Sequence, residues 1–453
     1  MKVKDLQVST PTGKAGHLLR ESQHVFNYTA TDRANEVSLT MPIRARSYVS
    51  HPLMPVFSMN LPEGYLFDLI ARRIAKHERI DDMRLLAITG RRQIGRLQFL
   101  QPGEQWDEPA ARVGLTQLLH EPASQGLFEF LVETYFCSGI SGVQPKVLVP
   151  DADVPLSGRV TLPEADLIVK SGAHDYPWLA QNEFLCMEVA RRAGLDVPEF
   201  WLSDDANLFI LRRFDLLPER QGFEDMAVLM GKARDAQGNY KYQGSYEAIA
   251  RVISAFSGSA TKANLEAFFA SVALSMMLHN GDAHLKNFGL LYRDPSVGEA
   301  RLAPVYDVVT TTIYPFYNQR TGAERVDRTT ALKLFAGAKS RQYPTREDLL
   351  RFGKSICLVS RPEDTLDRIA TAMTETLEAH RPRLQGQYGE RLVTEWEGGR
   401  LAMASSRLFP AHPDRKAPPQ ATGEGSGSGG RRGRGPDLRS VSSLGSGRKD
   451  RGA

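Results

Sequence analysis

The chain has 453 residues, of which 42% are hydrophobic and 24% charged, as in a soluble globular protein with two or three domains. The longest apolar run, residues 265–278, is too short to span a bilayer, and no leader pattern opens the chain. We therefore expect neither membrane insertion nor export. Three widely spaced cysteines (Cys137, Cys186 and Cys357) argue against a disulfide framework and a zinc site, and favour a cytoplasmic protein.

The formal net charge of +4 arises at the end of the chain. Residues 411–453 carry nine Lys and Arg against four Asp and Glu, so the residues before them are close to neutral. Because Gly, Ser and Arg dominate from residue 421 onward, we expect a disordered tail over residues 396–453. Its arginines could contact nucleic-acid phosphates without sequence preference, or the tail could simply be solvated.

Residues 1–105 are predicted to form a small N-terminal α/β domain. Short alternating stretches predict strands, and an amphipathic helix follows them, with Pro62 in its first turn. The apolar face of this helix would consist of Leu66, Leu69, Ile70 and Ile74. Residues 88–100 then indicate a strand, a turn and a strand, and a polar connector follows.

The next two regions differ in their predicted secondary structure. Residues 117–215 predict a mixed lobe, with helices over residues 127–136 and 181–193 and with strands over residues 147–149, 167–170 and 207–215. Residues 216–395 predict a helical lobe, which includes amphipathic helices over residues 262–278 and 365–378. The order is a strand-rich lobe followed by a helical lobe.

A glycine-containing loop, SGISGVQPK at residues 138–146, connects two predicted elements of the mixed lobe. Small residues allow backbone N–H groups to approach phosphate oxygens, and Lys146 adds a positive charge. The loop matches neither of the common glycine-rich nucleotide patterns, so an ordinary glycine turn is the alternative.

Lys170 closes the apolar strand LIVK. A buried ammonium group is costly unless it is paired, so a carboxylate or a phosphate is expected beside it. Glu183 on the following helix is the natural partner, and a strand Lys paired with a helix Glu is typical of protein kinases. The alternative is a lysine at an exposed strand end.

The string HNGDAHLKNF, residues 279–288, places Asp282 five residues before Asn287. Kinases use this spacing for a carboxylate that accepts the substrate hydroxyl proton and an amide that holds a metal ion. A short strand, FGLLY, is predicted directly after it. The alternative is an ordinary Asn-Gly-Asp turn between a helix and a strand.

Asp307 lies within VYDVV, which predicts an apolar strand. A carboxylate in such a strand needs a positive partner, and a magnesium ion chelated between Asn287 and Asp307 would provide one. A solvated strand end is the alternative. The four features follow one another in the order that a kinase requires.

Several motifs together resemble the HipA family of bacterial serine/threonine kinase toxins: SGISGVQPK, LIVKSG, QNEFLCMEVARRAGLDVP, LRRFD, NGDAHLKNFG and YDVV. The resemblance extends from the first residue to about residue 390. The segment MNLPEGYLFDLIARRIA is similar to the small domain that precedes the kinase core in longer members. The resemblance implies an α+β, two-lobed, protein-kinase-like fold with a mixed N-lobe and an all-helical C-lobe, preceded by a small α/β domain.

The resemblance also implies a kinase that uses ATP and Mg²⁺, with Asp282 as the catalytic base. Asn287 and Asp307 would bind Mg²⁺, and Lys170 would contact the ATP phosphates. The full set of ATP-binding residues that it implies is Ser141, Gly142, Val143, Gln144, Pro145, Lys146, Lys170, Glu183, Arg212, Arg213, Phe214, His284, Lys286, Asn287, Tyr306 and Asp307.

Members of this family phosphorylate aminoacyl-tRNA synthetases, commonly glutamate–tRNA ligase, and so stall translation and growth. They pair with a helix-turn-helix antitoxin of the HipB type, which implies that this chain would contact DNA only through such a partner. Members also silence themselves by phosphorylating a serine in the glycine-rich loop. That position falls on Gly139 here, so Ser141 and Ser138 are the candidate autophosphorylation sites.

Two other functions remain as alternatives. A small-molecule phosphotransferase of the aminoglycoside type also carries Gly-Asp before an Asn in its catalytic loop, but the GVQPK loop and the N-terminal domain are not typical of it. A non-catalytic pseudokinase that acts as a co-repressor would be expected to have lost one of the four charged or metal-binding residues. All four (Lys170, Asp282, Asn287 and Asp307) are present.

Overall fold

The computed structural model describes residues 3–74, 80–104, 113–122, 124–142, 144–153, 166–172, 176–235, 237–317 and 322–404. Most of the predicted polar connector and of the predicted tail lies outside these ranges. Within the described part of the chain, none of the helices combines the length and the hydrophobicity needed to cross a lipid bilayer.

The N-terminal unit is a five-stranded antiparallel sheet covered by helices. Its elements are β1 (Asp5–Thr10), β2 (Gly13–Arg20), β3 (His24–Tyr28), β4 (Tyr48–Ser50), α1 (Pro55–Ser58), α2 (Gly64–Ile74), α3 (Asp82–Thr89), β5 (Arg92–Gln93) and β6 (Gln98–Leu100). The sheet order is β4-β3-β2-β1-β6. Residues on β1 alternate between buried and partly exposed, as a sheet with one covered face requires. Phe26, Phe57 and Phe99 fill the core beneath it.

Two details of the N-terminal unit differ from the prediction. Helix α2 begins at Gly64, so Pro62 precedes the helix instead of lying in its first turn. Residues 88 and 89 complete α3, and β5 and β6 belong to different sheets, so residues 88–100 do not form the predicted hairpin. Strand β5 pairs in parallel with a strand of the next lobe, because tertiary contacts outweigh the local turn signal.

The mixed lobe contains a second, four-stranded antiparallel sheet with one long helix against it. Its elements are α4 (Leu115–His120), α5 (Ser124–Thr134), β7 (Ser138–Gly139), β8 (Lys146–Pro150), β9 (Asp166–Ser171), α6 (Leu179–Arg192), β10 (Phe200–Leu202) and β11 (Leu208–Arg212). The sheet order is β10-β11-β9-β8, and β7 pairs with β5. Every residue of β9 is buried, as expected for a central strand covered on both faces.

The C-terminal lobe is mainly helical. Its elements are β12 (Gly222–Asp225), α7 (Met226–Leu229), α8 (Tyr246–Phe256), α9 (Thr261–Met277), β13 (Gly289–Tyr292), β14 (Arg301–Leu302), β15 (Phe316–Tyr317), β16 (Glu324–Arg325), α10 (Arg346–Ser355), α11 (Pro362–Ala379) and α12 (Gln387–Met403). Helix α9 forms its centre, with Leu265, Phe268, Phe269 and Val272 buried.

The structure of this lobe differs from the prediction in two respects. It is not all-helical, because β12, β13 and β14 form a three-stranded sheet and β15 and β16 form a two-stranded one. It also extends beyond residue 395, since α12 continues to Met403 and Trp396 is fully buried. The indole N–H of Trp396 donates a 2.8 Å hydrogen bond to Thr310, which lies close to the predicted metal ligand Asp307.

The N-terminal unit packs directly against the kinase-like lobes. The Glu224 carboxylate is fully buried and accepts hydrogen bonds from the Ser38 hydroxyl (2.7 Å), the Leu39 amide (2.8 Å) and the Tyr292 hydroxyl (2.6 Å). Two of these donors belong to the N-terminal unit and one to β13. The N-terminal unit therefore shares a buried polar contact with the sheet that follows the predicted catalytic loop.

Candidate active site

Two lysines lie opposite each other on neighbouring strands, beside a pocket lined by Asn287, Tyr306 and Asp307 that we call the cleft. Lys146 of β8 and Lys170 of β9 are direct cross-strand partners, and both are buried. Two positive charges directly opposite each other on neighbouring strands destabilise a sheet unless negative groups lie between them. The strand pair therefore creates a site for anions.

The anionic partners are carboxylates from two other elements. The Lys170 ammonium group binds both Glu183 of α6 and Asp307. Burial would lower the pKa of Lys170, but the two carboxylates outweigh it and raise the pKa to about 12. Lys170 is thus fixed in its charged form, and the Lys170–Glu183 pair expected from the sequence is present.

Asp307 is not in a strand, contrary to the prediction. Residues 303–310 have no regular secondary structure, and Asp307 has a left-handed backbone with φ of 54°. Asp tolerates this conformation better than β-branched or bulky residues, since its short polar side chain can bond locally. The backbone turn directs the carboxylate toward the lysines instead of along a sheet.

The segment after Asp307 is anchored to α6. The Asn182 side chain donates to the Thr310 carbonyl and accepts from the Thr310 amide, each over 3.0 Å. Asn182 precedes Glu183, so adjacent residues of α6 contact both the lysine and the Asp307 segment. Helix α6 thus positions both the Lys170 partner and the segment that contains the predicted metal ligand Asp307.

The protonation state of Asp307 follows from its two lysine neighbours. Burial alone would raise its pKa, but the ammonium groups of Lys146 and Lys170 dominate and hold the pKa well below the usual range. Lys146 Nζ is 3.5 Å from Asp307 Oδ2. Asp307 is therefore ionised at neutral pH, as a metal ligand must be.

The predicted catalytic loop is short and internally bonded. Helix α9 ends at Met277 and β13 begins at Gly289, as the predicted helix and FGLLY strand require. Between them, Asn280 Oδ1 accepts from the Asp282 amide (3.1 Å) and Asn287 Oδ1 accepts from the His284 amide (2.9 Å). These side-chain bonds hold the loop in one conformation.

Asp282 lies at the solvent side of the cleft. Its Oδ1 accepts a 2.7 Å hydrogen bond from the Tyr242 hydroxyl. Protein packing around the carboxylate raises its pKa above the usual range, while Lys241 and the Tyr242 hydrogen bond oppose this shift. The residue nevertheless remains exposed to solvent, so a substrate hydroxyl can reach it.

His284 is buried and neutral. Desolvation, reinforced by the positive charges of Lys241 and Lys286, holds its pKa well below the ordinary value. Its Nδ1 atom has no hydrogen-bond partner among the described residues, and the same holds for Gln144 Nε2 of the glycine-containing loop. These two buried nitrogen atoms could hydrogen bond to a bound nucleotide.

Lys286 connects three parts of the chain. Its ammonium group donates to the Met59 carbonyl of the N-terminal unit and to the Ser141 hydroxyl, each over 2.8 Å. The Tyr306 hydroxyl donates to the Lys286 carbonyl over 2.8 Å. The structure therefore brings Ser141 to the loop that carries Asp282.

Within the glycine-containing loop, Gly142 lies close to the side chain of Lys146, the last residue of the loop. Gly142 has φ of +134°, and a Cβ atom at this position would be only 2.5 Å from Lys146 Cε and Nζ. Glycine is favoured here mainly by the backbone conformation, since a Cβ atom could be accommodated only if the end of the Lys146 side chain moved. The Pro145 carbonyl accepts from the Ser171 amide over 3.1 Å. Val143 and the Ser138 side chain lie outside the described residues.

The segment 212–214, which the family resemblance implies in ATP binding, is held by buried ion pairs. Arg213 contacts Asp166 (2.7 Å) and Asp215 (2.6 Å), and all three side chains are buried. Arg92 of the N-terminal unit also pairs with Asp166. Arg213 therefore serves as an internal brace, with its guanidinium group directed into the protein.

The two neighbouring residues have different environments. Arg212 pairs with Asp151 (3.3 Å) and Glu199 (2.8 Å). The Phe214 and Tyr306 rings pack with centroids 5.5 Å apart. Phe214 and Tyr306 thus form an aromatic pair close to the Asp307 segment.

The proposed magnesium site consists of oxygen atoms. No group of three His, Cys, Asp or Glu side chains in the described part of the chain has the geometry of a metal site. Mg²⁺ commonly needs only one or two protein ligands, because phosphate and water oxygens complete its octahedron. The Asn287 amide and the ionised Asp307 carboxylate suit that chemistry.

Several residues at this site were not predicted. Tyr240, Lys241 and Tyr242 form a turn beside the catalytic loop, and Glu63 of the N-terminal unit contacts that turn. No sequence motif identified them, because their roles depend on contacts between segments far apart in the chain. Asp215 was part of the LRRFD string, but its pairing with Arg213 could not be inferred.

Two family models match the chain. The HipA-like C-terminal domain matches residues 138–380, and the HipA N-terminal domain matches residues 6–100. The matched segments contain most of both lobes and nearly all of the N-terminal sheet.

Curated relatives include two proteins named as candidate kinases. Y4dM of Sinorhizobium fredii is 31% identical over 281 residues, which are 57% of this chain and 63% of that protein. A protein of Haemophilus influenzae is 31% identical over 194 residues, which are 39% of this chain and 53% of that protein. The chain thus covers less than two thirds of the length of either relative.

A solved structure has the same fold. HipA of Shewanella oneidensis MR-1, determined in a toxin–antitoxin complex with HipB and operator DNA, gives a TM-score of 0.63 at 17% identity. The match covers 88% of this chain and 96% of that protein. Because the C-terminal family model spans more than half of its length, this chain belongs to the HipA family.

Proposed function

We propose that the protein is a serine/threonine protein kinase that uses ATP and Mg²⁺ and acts as the toxin of a toxin–antitoxin module. The observation that carries the proposal is the charge arrangement around Lys170. A buried lysine binds Glu183 and Asp307, Asp307 and Asn287 line one pocket, and the charges of Asp307 and Lys146 act on Asp282. The α6 glutamate pairs with a strand lysine in the manner of protein kinases.

Lys170 and Lys146 would hold the nucleotide phosphates. Bound phosphates would replace part of the negative charge that Asp307 now supplies to both lysines. Asn287 and Asp307 would then hold Mg²⁺ through their side-chain oxygens. When bound, this ion neutralises charge that develops on the transferred phosphoryl group.

Asp282 would receive the proton of the acceptor hydroxyl. As the acceptor oxygen bonds to the γ-phosphorus, the bond from that phosphorus to the β–γ bridging oxygen breaks, and ADP leaves. Burial raises the pKa of Asp282 above the usual range, which makes it a better proton acceptor than an ordinary carboxylate. Its exposure permits a side chain of another protein to approach.

The proposal extends to substrate and partners. Family membership supports an aminoacyl-tRNA synthetase, for example glutamate–tRNA ligase, as the protein substrate. It also supports a helix-turn-helix antitoxin of the HipB type as partner, with DNA contacted through that antitoxin. Self-inactivation at Ser141 or Ser138 is a further part of the proposal, and the Lys286–Ser141 contact is consistent with the first of these.

The first test measures the intact mass of dephosphorylated protein before and after incubation with Mg-ATP. We expect one phosphate to be added to the wild type and none to the Asp282→Asn variant. Peptide mapping would then identify the modified serine. Phosphate on the Asp282→Asn variant would contradict the assigned catalytic base.

The second test identifies the acceptor. Purified glutamate–tRNA ligase and a panel of other synthetases are incubated with the kinase and Mg-ATP, and phosphopeptides are measured by mass spectrometry. A wild type that binds ATP but modifies neither itself nor any synthetase would contradict the proposed protein kinase activity. Transfer to aminoglycosides alone would favour the small-molecule phosphotransferase.

A further inference from the structure

A tyrosine hydroxyl is hydrogen bonded to one carboxylate oxygen of the proposed catalytic base. Tyr242 donates a 2.7 Å hydrogen bond to Asp282 Oδ1. In phosphoryl transfer, this carboxylate must form the same kind of bond with the acceptor hydroxyl. The phenolic hydroxyl and the incoming hydroxyl therefore compete for one position.

The Tyr242 side chain is held in place by its surroundings. Its ring packs edge-on against the buried His284 ring, with centroids 5.3 Å apart. Tyr242 ends the short 3-10 turn Asn239–Tyr242, which lies beside the 3-10 turn Leu285–Asn287 of the catalytic loop. The hydroxyl is thus presented to Asp282 by a packed ring.

The turn itself is fixed by the N-terminal unit. The Tyr240 hydroxyl donates to Glu63 Oε1 (3.2 Å), and the Lys241 ammonium group lies 3.9 Å from Glu63 Oε2. Arg234, just before the turn, donates to the Pro62 carbonyl over 3.0 Å. The turn is therefore clamped between the N-terminal unit and the catalytic loop.

We propose that, in the substrate-free enzyme, the Tyr242 hydroxyl occupies the hydrogen-bonding position on Asp282 Oδ1 that an acceptor hydroxyl would take during transfer. An acceptor hydroxyl must then displace only the phenolic hydroxyl, while the turn Asn239–Tyr242 that carries it stays in place. This inference rests on the proposed kinase function and assigns a positioning and gating role to Tyr242.

The proposed role of the Tyr242 hydroxyl predicts a change in ATP hydrolysis that can be measured without the natural acceptor. If the phenolic oxygen is removed, one water molecule can occupy its place beside Asp282. That water would attack the γ-phosphorus, its proton would pass to Asp282, and the bond to the bridging oxygen would break to give ADP and inorganic phosphate. Tyr242→Phe should therefore increase acceptor-independent ATP hydrolysis.

The experiment compares ADP release from Mg-ATP by the wild type, Tyr242→Phe and Tyr242→Phe/Asp282→Asn, each as the full chain without an added protein acceptor. We expect Tyr242→Phe to hydrolyse ATP roughly two- to tenfold faster, the range that the loss of one competing hydrogen bond provides. The double variant should return to the background rate. ATP affinity is measured in parallel by calorimetry and should stay unchanged.

Tyr48→Phe serves as the matched control, because Tyr48 also donates a 2.7 Å hydrogen bond, to the Pro42 carbonyl in the N-terminal unit. It should hydrolyse ATP at the wild-type rate. If Tyr242→Phe binds ATP but hydrolyses it no faster than the wild type, the proposed role of Tyr242 is wrong. The proposed kinase function would not be affected by that result. Absence of ATP binding by the wild type would overturn the proposed function and this inference with it.

Discussion

The two sides of the cleft are built differently. On the side proposed to bind nucleotide (the nucleotide side), Lys146, Lys170 and Glu183 are almost completely buried, and ion pairs connect them with one another and with Asp307. On the side proposed to bind the acceptor (the acceptor side), Asp282 is exposed, and its carboxylate accepts a side-chain hydrogen bond from Tyr242. Buried charges without partners are strongly destabilising, whereas an exposed hydrogen bond contributes little free energy.

This difference suggests a division of roles. The nucleotide side is preorganised by interactions that also stabilise the fold, so it cannot change without affecting stability. The acceptor side is covered by an interaction that a substrate hydroxyl can replace at little cost. Substitutions on the nucleotide side should therefore lower stability. Substitutions on the acceptor side should change phosphoryl transfer with little effect on stability.

The largest effect on transfer is expected on the acceptor side. Asp282→Asn removes the proton acceptor and should slow phosphoryl transfer by roughly 10²- to 10⁴-fold, the range of general-base contributions. ATP affinity and thermal stability should change little, since Asp282 is exposed. The rate is measured from the intact mass over time, with Asp294→Asn as the control. A transfer rate within twofold of the wild type would remove Asp282 from the mechanism.

On the nucleotide side, Lys170→Met should lower both stability and ATP affinity. It leaves Glu183 and Asp307 without their ammonium partner, and the loss of one member of a buried pair costs about 3–5 kcal/mol. Chemical denaturation and calorimetry measure the two effects. Lys170→Met/Glu183→Met should recover part of the stability but none of the ATP affinity. Recovery of both would show that Lys170 does not contact the nucleotide.

Glu63 belongs to the N-terminal unit and contacts the turn that carries Tyr242. Its ionisation should make the stability of the protein depend on pH. Although burial opposes it, the positive charges of Lys286, Lys241 and Arg234 lower the pKa of Glu63 from 4.5 to about 2. Because the folded pKa is the lower one, this stabilisation is complete above pH 4.5 and is lost as the pH falls toward 2.

Glu63→Gln should therefore destabilise the protein at pH 7 by up to about 3 kcal/mol, and the difference from the wild type should shrink between pH 4.5 and 2. Urea denaturation at a series of pH values measures it. Glu21→Gln on the N-terminal unit is the control, and it should show no such convergence. Equal stability of Glu63→Gln and the wild type at pH 7 would mean that the clamp contributes nothing.

The smallest effect is expected from the end of the chain. Removal of all residues after Pro410 should leave stability and transfer unchanged, because residues 421–453 contain too few large apolar side chains to form a packed core. Both properties are compared between the truncated and full chains. A marked loss of transfer would mean that the tail takes part in catalysis or substrate capture.

Much of the site could be predicted from local sequence. The lysine after an apolar strand and the glutamate on the next helix predicted a buried ion pair, because an unpaired ammonium group could not remain there. Helix α9 and strand β13 followed from hydrophobic periodicity on either side of the Asp282 loop. The spacing of Asp282 and Asn287 indicated phosphoryl transfer before any contact was known.

Other features could not be read from local patterns. The apolar neighbours of Asp307 predicted a strand, but ion pairs with two lysines and the anchoring of Thr310 to Asn182 hold this segment in an irregular conformation. The hairpin predicted at residues 88–100 failed for a related reason. Strand β5 found its partner in β7, which lies some forty residues later in the chain.

Local sequence was sufficient to identify the charged residues, their order, and most of the helices and strands that carry them. Which of these groups meet depends on tertiary contacts. The tertiary structure placed Asp307 between two lysines, Tyr242 on Asp282, and Glu63 against the turn that carries Tyr242. The reason is physical, since periodicity reports burial along one segment, whereas a hydrogen bond or an ion pair depends on the packing of segments that are distant in the chain.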